Sequence, residues 1–259
     1  MRNIPTGHLI PETAFNQSLY DENKMIIRYP WNTFPPVWIH NHESAVKQHR
    51  AYRSAKSGEP SSAYILVKSL LNPMVVEQLA KTFDKQKPIL VSAHAVETMG
   101  VNAIPEALAD VLAQRLGWTA DSGIIQINIV GHTGADGFSR LARQAVFDGK
   151  VVAGHCYLLV DDFVGQGGTL ANLRAHIIQG NGTVLGATVL TGKPHSANLA
   201  LTSQTLERLR LKHGEQLELW WQQQFGFGLY CLTESEARYL LNTPNVERIR
   251  NKITEASQT

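Results

Sequence analysis

The sequence predicts an α/β fold, a parallel sheet flanked by helices and extended by helical additions at its N- and C-terminal ends. Three observations carry that prediction. Apolar runs of strand length, PILVSA and HCYLLVDD among them, alternate with longer stretches of helical periodicity, the pattern of a sheet covered on both faces. Proline and glycine stand where such helices start and stop. One apolar strand also runs through a glycine-containing loop straight into a helix, which is half of a strand–helix–strand unit.

The elements follow in chain order. Pro5, Pro11, Pro30, Pro35 and Pro36 punctuate the start of the chain, which shows neither helical nor strand periodicity and reads as an irregular arm. From His42 to Phe83 the pattern turns helical in AVKQHRAYRSAK, SSAYILVKSLL and PMVVEQLAKTF, a small cap separated by SGEPS and NP. PILVSA then reads as the first core strand. PEALADVLAQRLG is a helix opened by Pro105 and closed by Gly117, with Ala107, Leu108, Val111, Leu112 and Leu116 on one stripe. GIIQINIV at 123–130 reads as a second strand, HCYLLVDD as a third, TLANLRAHIIQ as a helix stopped by Gly180, and TVLGATVLTG as a fourth strand. Beyond Lys193 the pattern is helical, with a capping box at Thr233 and Glu236 and an N-cap at Thr243 before Pro244. The chain thus divides into an arm and helical cap at 1–86, a core at 87–195 and a helical C-terminal subdomain at 196–259.

Composition narrows the function classes. A chain of 259 residues with 43% hydrophobic content supports a buried core. A net charge of +2 with 18% charged residues gives no broad positive field, so nucleic acid is not an expected partner. No apolar run spans a bilayer and the first residues lack a signal-peptide core, so the expectation is a cytoplasmic protein without membrane contact. Cys156 and Cys231 show no CxxC spacing and read as buried small hydrophobes, and His40 with His42 reads as structural.

The chemistry concentrates in residues 157–170, YLLVDDFVGQGGTL. An apolar strand delivers Asp161 and Asp162, a short loop follows, and a helix begins near Thr169. Gly165, Gly167 and Gly168 permit the tight backbone in which N–H groups converge at a helix N-terminus, a cradle for a dianionic phosphate. Thr169 adds a hydroxyl, and the two aspartates can accept hydrogen bonds from vicinal hydroxyls of a ribose whose 5-phosphate sits in the loop. Alone, a pair of aspartates would far more often merely end a strand and cap a turn; the strand, glycine loop and helix together reverse that and favour the phosphate. No Gly-Lys-Ser/Thr occurs, and the acidic pair precedes the glycines, so a P-loop and a dinucleotide fingerprint fit worse.

This segment resembles the phosphoribosyl pyrophosphate loop of type I phosphoribosyltransferases, with Gly165 and Gln166 where that family more often carries hydroxylic residues. The resemblance covers residues 88–195. It implies the type I phosphoribosyltransferase core, and transfer of 5-phosphoribosyl from phosphoribosyl pyrophosphate to a nucleobase-like nitrogen acceptor with release of pyrophosphate. It implies substrate contacts from Val164, Gly165, Gln166, Gly167, Gly168 and Thr169, and from Ala93, His94 and Ala95 in a pyrophosphate loop, where His94 alone reads equally as structural. Lys193, after the last core strand, falls on the acceptor side. Asp161 and Asp162 are implied as catalytic residues and as the contacts of Mg²⁺. Arg140 and Arg143, at helical spacing within a mobile-loop segment at 132–144, are implied as cations for the leaving pyrophosphate; a solvated helix face is the other reading. Trp220, Trp221, Phe225 and Phe227 suit a base-stacking wall or a core, and the basic stretches KQHRAYRSAK and RLRLKH read as solvated faces. Two further expectations are a homodimer as candidate assembly and, as the rival to an enzyme, a regulatory protein that senses the same ligand without turnover.

Overall fold

Strand and helix signals in the core translate into a single sheet layer between two helical layers. A computed structural model describes residues 26–93, 96–97, 100–128 and 136–258, with backbone only at 96–97 and 100–101. The elements are β1 (Trp38–Asn41), α1 (Glu43–Gln48), α2 (Tyr52–Lys56), α3 (Pro60–Leu70), α4 (Pro73–Phe83), β2 (Ile89–Ser92), β3 (Val96–Glu97), β4 (Gly100–Val101), α5 (Ile104–Leu116), β5 (Ala120–Asp121), β6 (Ile125–Gln126), α6 (Gly137–Ala142), β7 (Phe147–Asp148), β8 (Cys156–Val164), α7 (Gly168–Gln179), β9 (Thr183–Gly192), α8 (Ser203–Phe225), α9 (Glu234–Leu241) and α10 (Val246–Ser257). Strands β1-β9-β8-β2-β5 form a five-stranded sheet, parallel throughout. The α/β fold class read from the sequence therefore holds.

Period-two alternation divides the sheet's side chains between two apolar layers. Leu90, Leu158, Val160 and Leu190 pack with α3, α4 and α5, while Val91, Tyr157, Leu159 and Val189 pack with Leu170, Leu173 and Ile177 of α7. A third cluster, centred on the fully buried Trp221 with Leu209, Leu217 and Ile253, joins α8, α9, α10 and α6. Local rules set the helix ends. Glu59 and Asn72 cap α3 and α4 ahead of a proline, and Gly117 closes α5 in the left-handed region at φ 67°. The expected capping box of Thr233 and Glu236 forms. Gly214, at φ 66° and ψ −175°, breaks α8 into two helical runs.

Four local expectations need correction. Residues 38–41 are strand, not irregular arm: β1 is too short to show periodicity and is held by pairing to β9, with Thr188 Oγ1 donating to the Trp38 carbonyl at 3.0 Å. The run 123–130 is not a strand of the main sheet. Asp121 Oδ1 accepts the Gly123 N–H at 2.8 Å, a side-chain turn that bends the chain away after β5, and Ile125–Gln126 pairs antiparallel with β7; residues 129–130 lie outside the described part. Asn245, not Thr243, caps α10, because Thr243 Oγ1 donates to the Tyr239 carbonyl. Cys156 is half-buried, while Cys231 is buried as expected.

His40 on β1 is structural. It is 2% exposed; its Nδ1 accepts the Asn72 N–H at 3.2 Å, and its Nε2 lies 3.3 Å from Thr188 Oγ1, whose proton goes to Trp38. Burial lowers its pKa from 6.5 to about 4. Between those values the unfolded chain binds a proton that the folded chain refuses, so stability is lost as pH falls from 6.5 towards 4. The loss should approach ~3 kcal/mol. Thermal melts should fall more steeply with acid for the wild-type protein than for His40→Gln; parallel slopes would place the acid sensitivity elsewhere.

Candidate functional site

The C-terminal ends of three adjacent strands, β2, β8 and β9, open onto one cavity of about 750 Å³. That edge is where open α/β sheets bind ligands, and the volume is that of a small-molecule pocket. Ala93 follows β2, Lys193 follows β9, and the loop 165–167 follows β8; all line the cavity with Gly168, Thr169 and Leu170 of α7. The strand ends are tied together, Ala93 N–H donating to the Val160 carbonyl at 2.9 Å and Lys193 N–H to the Val164 carbonyl at 3.1 Å.

The loop requires a glycine at 167 and brings two more close to neighbouring side chains. Gly167 caps α7 at φ 83°, and a Cβ there would lie 2.4 Å from Leu199 Cδ2. A Cβ on Gly165 would meet Arg140 Nη1 at 2.9 Å, and one on Gly168 would meet Glu236 Oε1 at 2.8 Å. No side chain caps α7, so the N–H groups of its first turn are available at the cavity wall. Gln166 has both side-chain polar atoms buried without a hydrogen-bond partner.

Asp161 and Asp162 both line the cavity. Asp162 pairs with Lys56 of α2 at 3.0 Å and hydrogen-bonds Asn102, while its N–H donates to Asp161 Oδ1 at 2.8 Å. Burial, and then the charge of Asp162, pushes the Asp161 carboxyl well above the usual range. Burial is the largest influence on Asp162 and opposes its ionisation, but the Lys56 ammonium and the hydrogen bonds from Lys56, Asp161 and Asn102 together hold that carboxyl below its ordinary value. The two carboxyls are thus pushed in opposite directions, Asp161 towards its protonated form and Asp162 towards its charged form. Both offer hard oxygen donors, although among the described residues no three His, Cys, Asp or Glu side chains gather around a metal position.

Beneath the loop lies a buried polar cluster. Arg28 donates to Glu236 at 2.6 and 3.0 Å and to Asn172 Oδ1 at 2.6 Å, and its guanidinium sits 5.0 Å from the Phe227 ring centroid. Glu236 also accepts the Thr233 N–H, and Thr233 Oγ1 donates to the Gln166 carbonyl. The C-terminal helices therefore hold the loop from outside, a role invisible in their sequence.

Of the residues named from sequence, Ala93, Arg140, Asp161, Asp162, Gly165, Gln166, Gly167, Gly168, Thr169 and Lys193 line the cavity. Val164 is 1% exposed behind the loop, and Arg143 follows the end of α6 without joining the lining. His94 and Ala95 lie outside the described residues, as do residues 129–135 of the candidate mobile segment. Trp220, Trp221, Phe225 and Phe227 belong to the C-terminal core and do not line the cavity. Sequence reading missed Arg28, Asn102, Gln144, Asn172 and Glu236. It also took KQHRAYRSAK for a solvated face, whereas Lys47, Arg53 and Lys56 from that stretch line the cavity.

Comparisons place the chain beside two kinds of protein. It is 37% identical over 229 residues to the protein TraN of Escherichia coli, matching 88% of this chain and 51% of that protein. It is 36% identical over 159 residues to an uncharacterized protein of Haemophilus influenzae, matching 61% of this chain and 36% of the other. The chain thus spans about half the length of the first relative and about a third of the second. No protein-family model matches. Among solved structures, it is similar to an adenine phosphoribosyltransferase from Thermoanaerobacter pseudethanolicus at 19% identity and a TM-score of 0.30, over 46% of this chain and 77% of that one. A second adenine phosphoribosyltransferase matches at 14% identity and a TM-score of 0.34, over 51% and 76% of the two chains. Among the described residues no helix is long and apolar enough to cross a membrane.

Proposed function

We propose that the protein is a phosphoribosyltransferase, moving 5-phosphoribosyl from phosphoribosyl pyrophosphate to a nitrogen of a nucleobase-like acceptor and releasing pyrophosphate. The observation that carries this reading is an uncapped, glycine-built helix N-terminus placed directly after an acidic pair, with both lining one cavity. In this reading the 5-phosphate takes the N–H groups of loop 165–169, with Thr169 as hydroxyl donor and Arg140, whose Nη1 lies beside Gly165, as counter-charge. The charged Asp162 accepts a ribose hydroxyl, and the protonated Asp161 donates to the same diol. The bond from C1 to pyrophosphate breaks with its electron pair leaving on oxygen, positive charge develops on the ribose ring beside Asp162, and the acceptor nitrogen supplies the electron pair of the new bond. Asp162, and Asp161 on giving up its proton, would hold Mg²⁺ through hard oxygens, and the ion would supply neutralisation of the leaving group.

A second reading keeps the ligand and omits turnover. It is favoured by the Lys56–Asp162 ion pair, which engages a carboxylate that the reaction needs. The wild-type protein, incubated with phosphoribosyl pyrophosphate, Mg²⁺ and a panel of nucleobases, should release pyrophosphate and form a nucleoside monophosphate with one of them. Tight binding without product for any base would select the ligand sensor. No binding at all would overturn both.

A further inference from the structure

We infer that Tyr239 of α9 is a positioning residue for the proposed reaction: it seats helix α6 so that the Arg140 guanidinium stands beside the glycine loop. The inference rests on the phosphoribosyl reading above and gives the C-terminal part a direct share in the geometry of the cavity.

One face of α9 touches two walls of that cavity. Glu236 lies against Gly168 at the start of α7, and Tyr239, three residues on and therefore on the same side, lies against α6. A Cβ on Gly137 would overlap the Tyr239 ring, so the ring rests directly on the backbone of the first turn of α6. The Tyr239 hydroxyl oxygen accepts the N–H groups of Gly137 and Phe138, and the Phe138 and Tyr239 rings meet edge to face at a centroid distance of 5.0 Å. Helix α9 is itself fixed at its far end, where the Leu240 and Leu241 carbonyls accept from His213 Nε2 at 3.1 Å and from Lys212 Nζ at 2.7 Å.

Helix α6 needs such a seat. It has six residues, too few to hold a helix on propensity alone. The Asp136 side chain, which accepts the Ser139 N–H at 2.8 Å, and the Tyr239 hydroxyl share the N–H groups of its first turn. Phe138 and Leu141 join the C-terminal cluster, while Arg140 lines the cavity with its Nη1 2.9 Å from where a Gly165 Cβ would stand. A guanidinium serves an anion site only as well as its backbone is held, because a displacement of ~1 Å spoils directed N–H contacts. Tyr239 therefore acts on the ligand through Arg140 and touches no part of it.

Calorimetry on the full chain with phosphoribosyl pyrophosphate and Mg²⁺ tests this. Tyr239→Phe keeps the ring and removes the hydroxyl, and should weaken binding about 5-fold, the worth of one hydrogen bond. In an Arg140→Ala background the same change should leave affinity untouched while still lowering the melting temperature, because a positioning residue is coupled to the group it positions. Gly137→Ala is an independent check. Alanine is the better helix former, yet its methyl group displaces the Tyr239 ring, so binding should weaken although α6 gains intrinsic helicity. In a pyrophosphate-release assay Tyr239→Phe should raise KM for phosphoribosyl pyrophosphate at unchanged kcat, the mark of a contact made equally before and during reaction. Unchanged affinity in Tyr239→Phe or in Gly137→Ala, or a loss that persists in full without Arg140, would reduce Tyr239 to a packing contact and leave the phosphoribosyl reading intact. If the wild-type protein does not bind the ligand, that reading falls and the positioning role falls with it.

Discussion

Glu236→Ala should cost about 3–5 kcal/mol of folding stability, the penalty for leaving a buried arginine without its carboxylate. The side chains of Arg28 and Glu236 are each 2% exposed, and their two hydrogen bonds run parallel from guanidinium to carboxylate. Removing the acid also strips the Thr233 N–H of its acceptor and breaks the capping box at the start of α9. Removing Arg28 instead strands Glu236 and frees Asn172 Oδ1, so Arg28→Ala should cost a similar amount. Because both changes damage the same pair, the double variant should cost clearly less than their sum. The urea midpoint should shift at constant slope; a loss below about 1 kcal/mol for Glu236→Ala would mean that water already shares the pair. Binding should weaken too. Glu236 abuts Gly168, and Thr233 holds the Gln166 carbonyl, so a loosened α9 leaves the glycine loop without its outer support.

That dependence marks the boundary of what the sequence makes legible. The strand, loop and helix of residues 156–179 are readable because every determinant is local: apolar residues set β8, Gly167 provides the left-handed turn, and the chain continues into α7. The same holds for α5, bounded by Pro105 and Gly117. The partners of that loop are another matter. Arg28 and Glu236 are 208 residues apart, and Lys56 and Asp162 are 106 apart, so neither pairing leaves a spacing to read. KQHRAYRSAK looks like any solvated basic face because periodicity shows which residues share a side, not what that side meets. GIIQINIV looks like a core strand because its composition suits one, yet a single side-chain turn at Asp121 takes the chain out of the sheet. The acidic pair reads as two equal carboxylates, and only burial and the approach of Lys56 make them different.

That difference gives the largest expected effect on turnover. On the proposed transferase reading, Asp162→Asn should reduce kcat for pyrophosphate release roughly 100- to 1000-fold, the scale of removing one preorganised electrostatic contact from a developing charge. Asp161→Asn should reduce it less than about 10-fold. The asymmetry follows from protonation. Asp162 is pushed towards its charged form by Lys56 with the hydrogen bonds from Asp161 and Asn102, against its own burial, and an amide there leaves Lys56 facing no carboxylate. Burial and the charge of Asp162 push Asp161 towards its protonated form, whose shape and charge an asparagine matches while still donating and still accepting the Asp162 N–H through Oδ1. The two should also separate with pH. Raising the pH through the elevated Asp161 pKa places a second charge beside Asp162, and the wild-type rate should change there while that of Asp161→Asn does not. Equal losses from the two asparagine variants, with matching pH profiles, would show that the carboxylates act as one unit and would remove the division of roles argued from their surroundings.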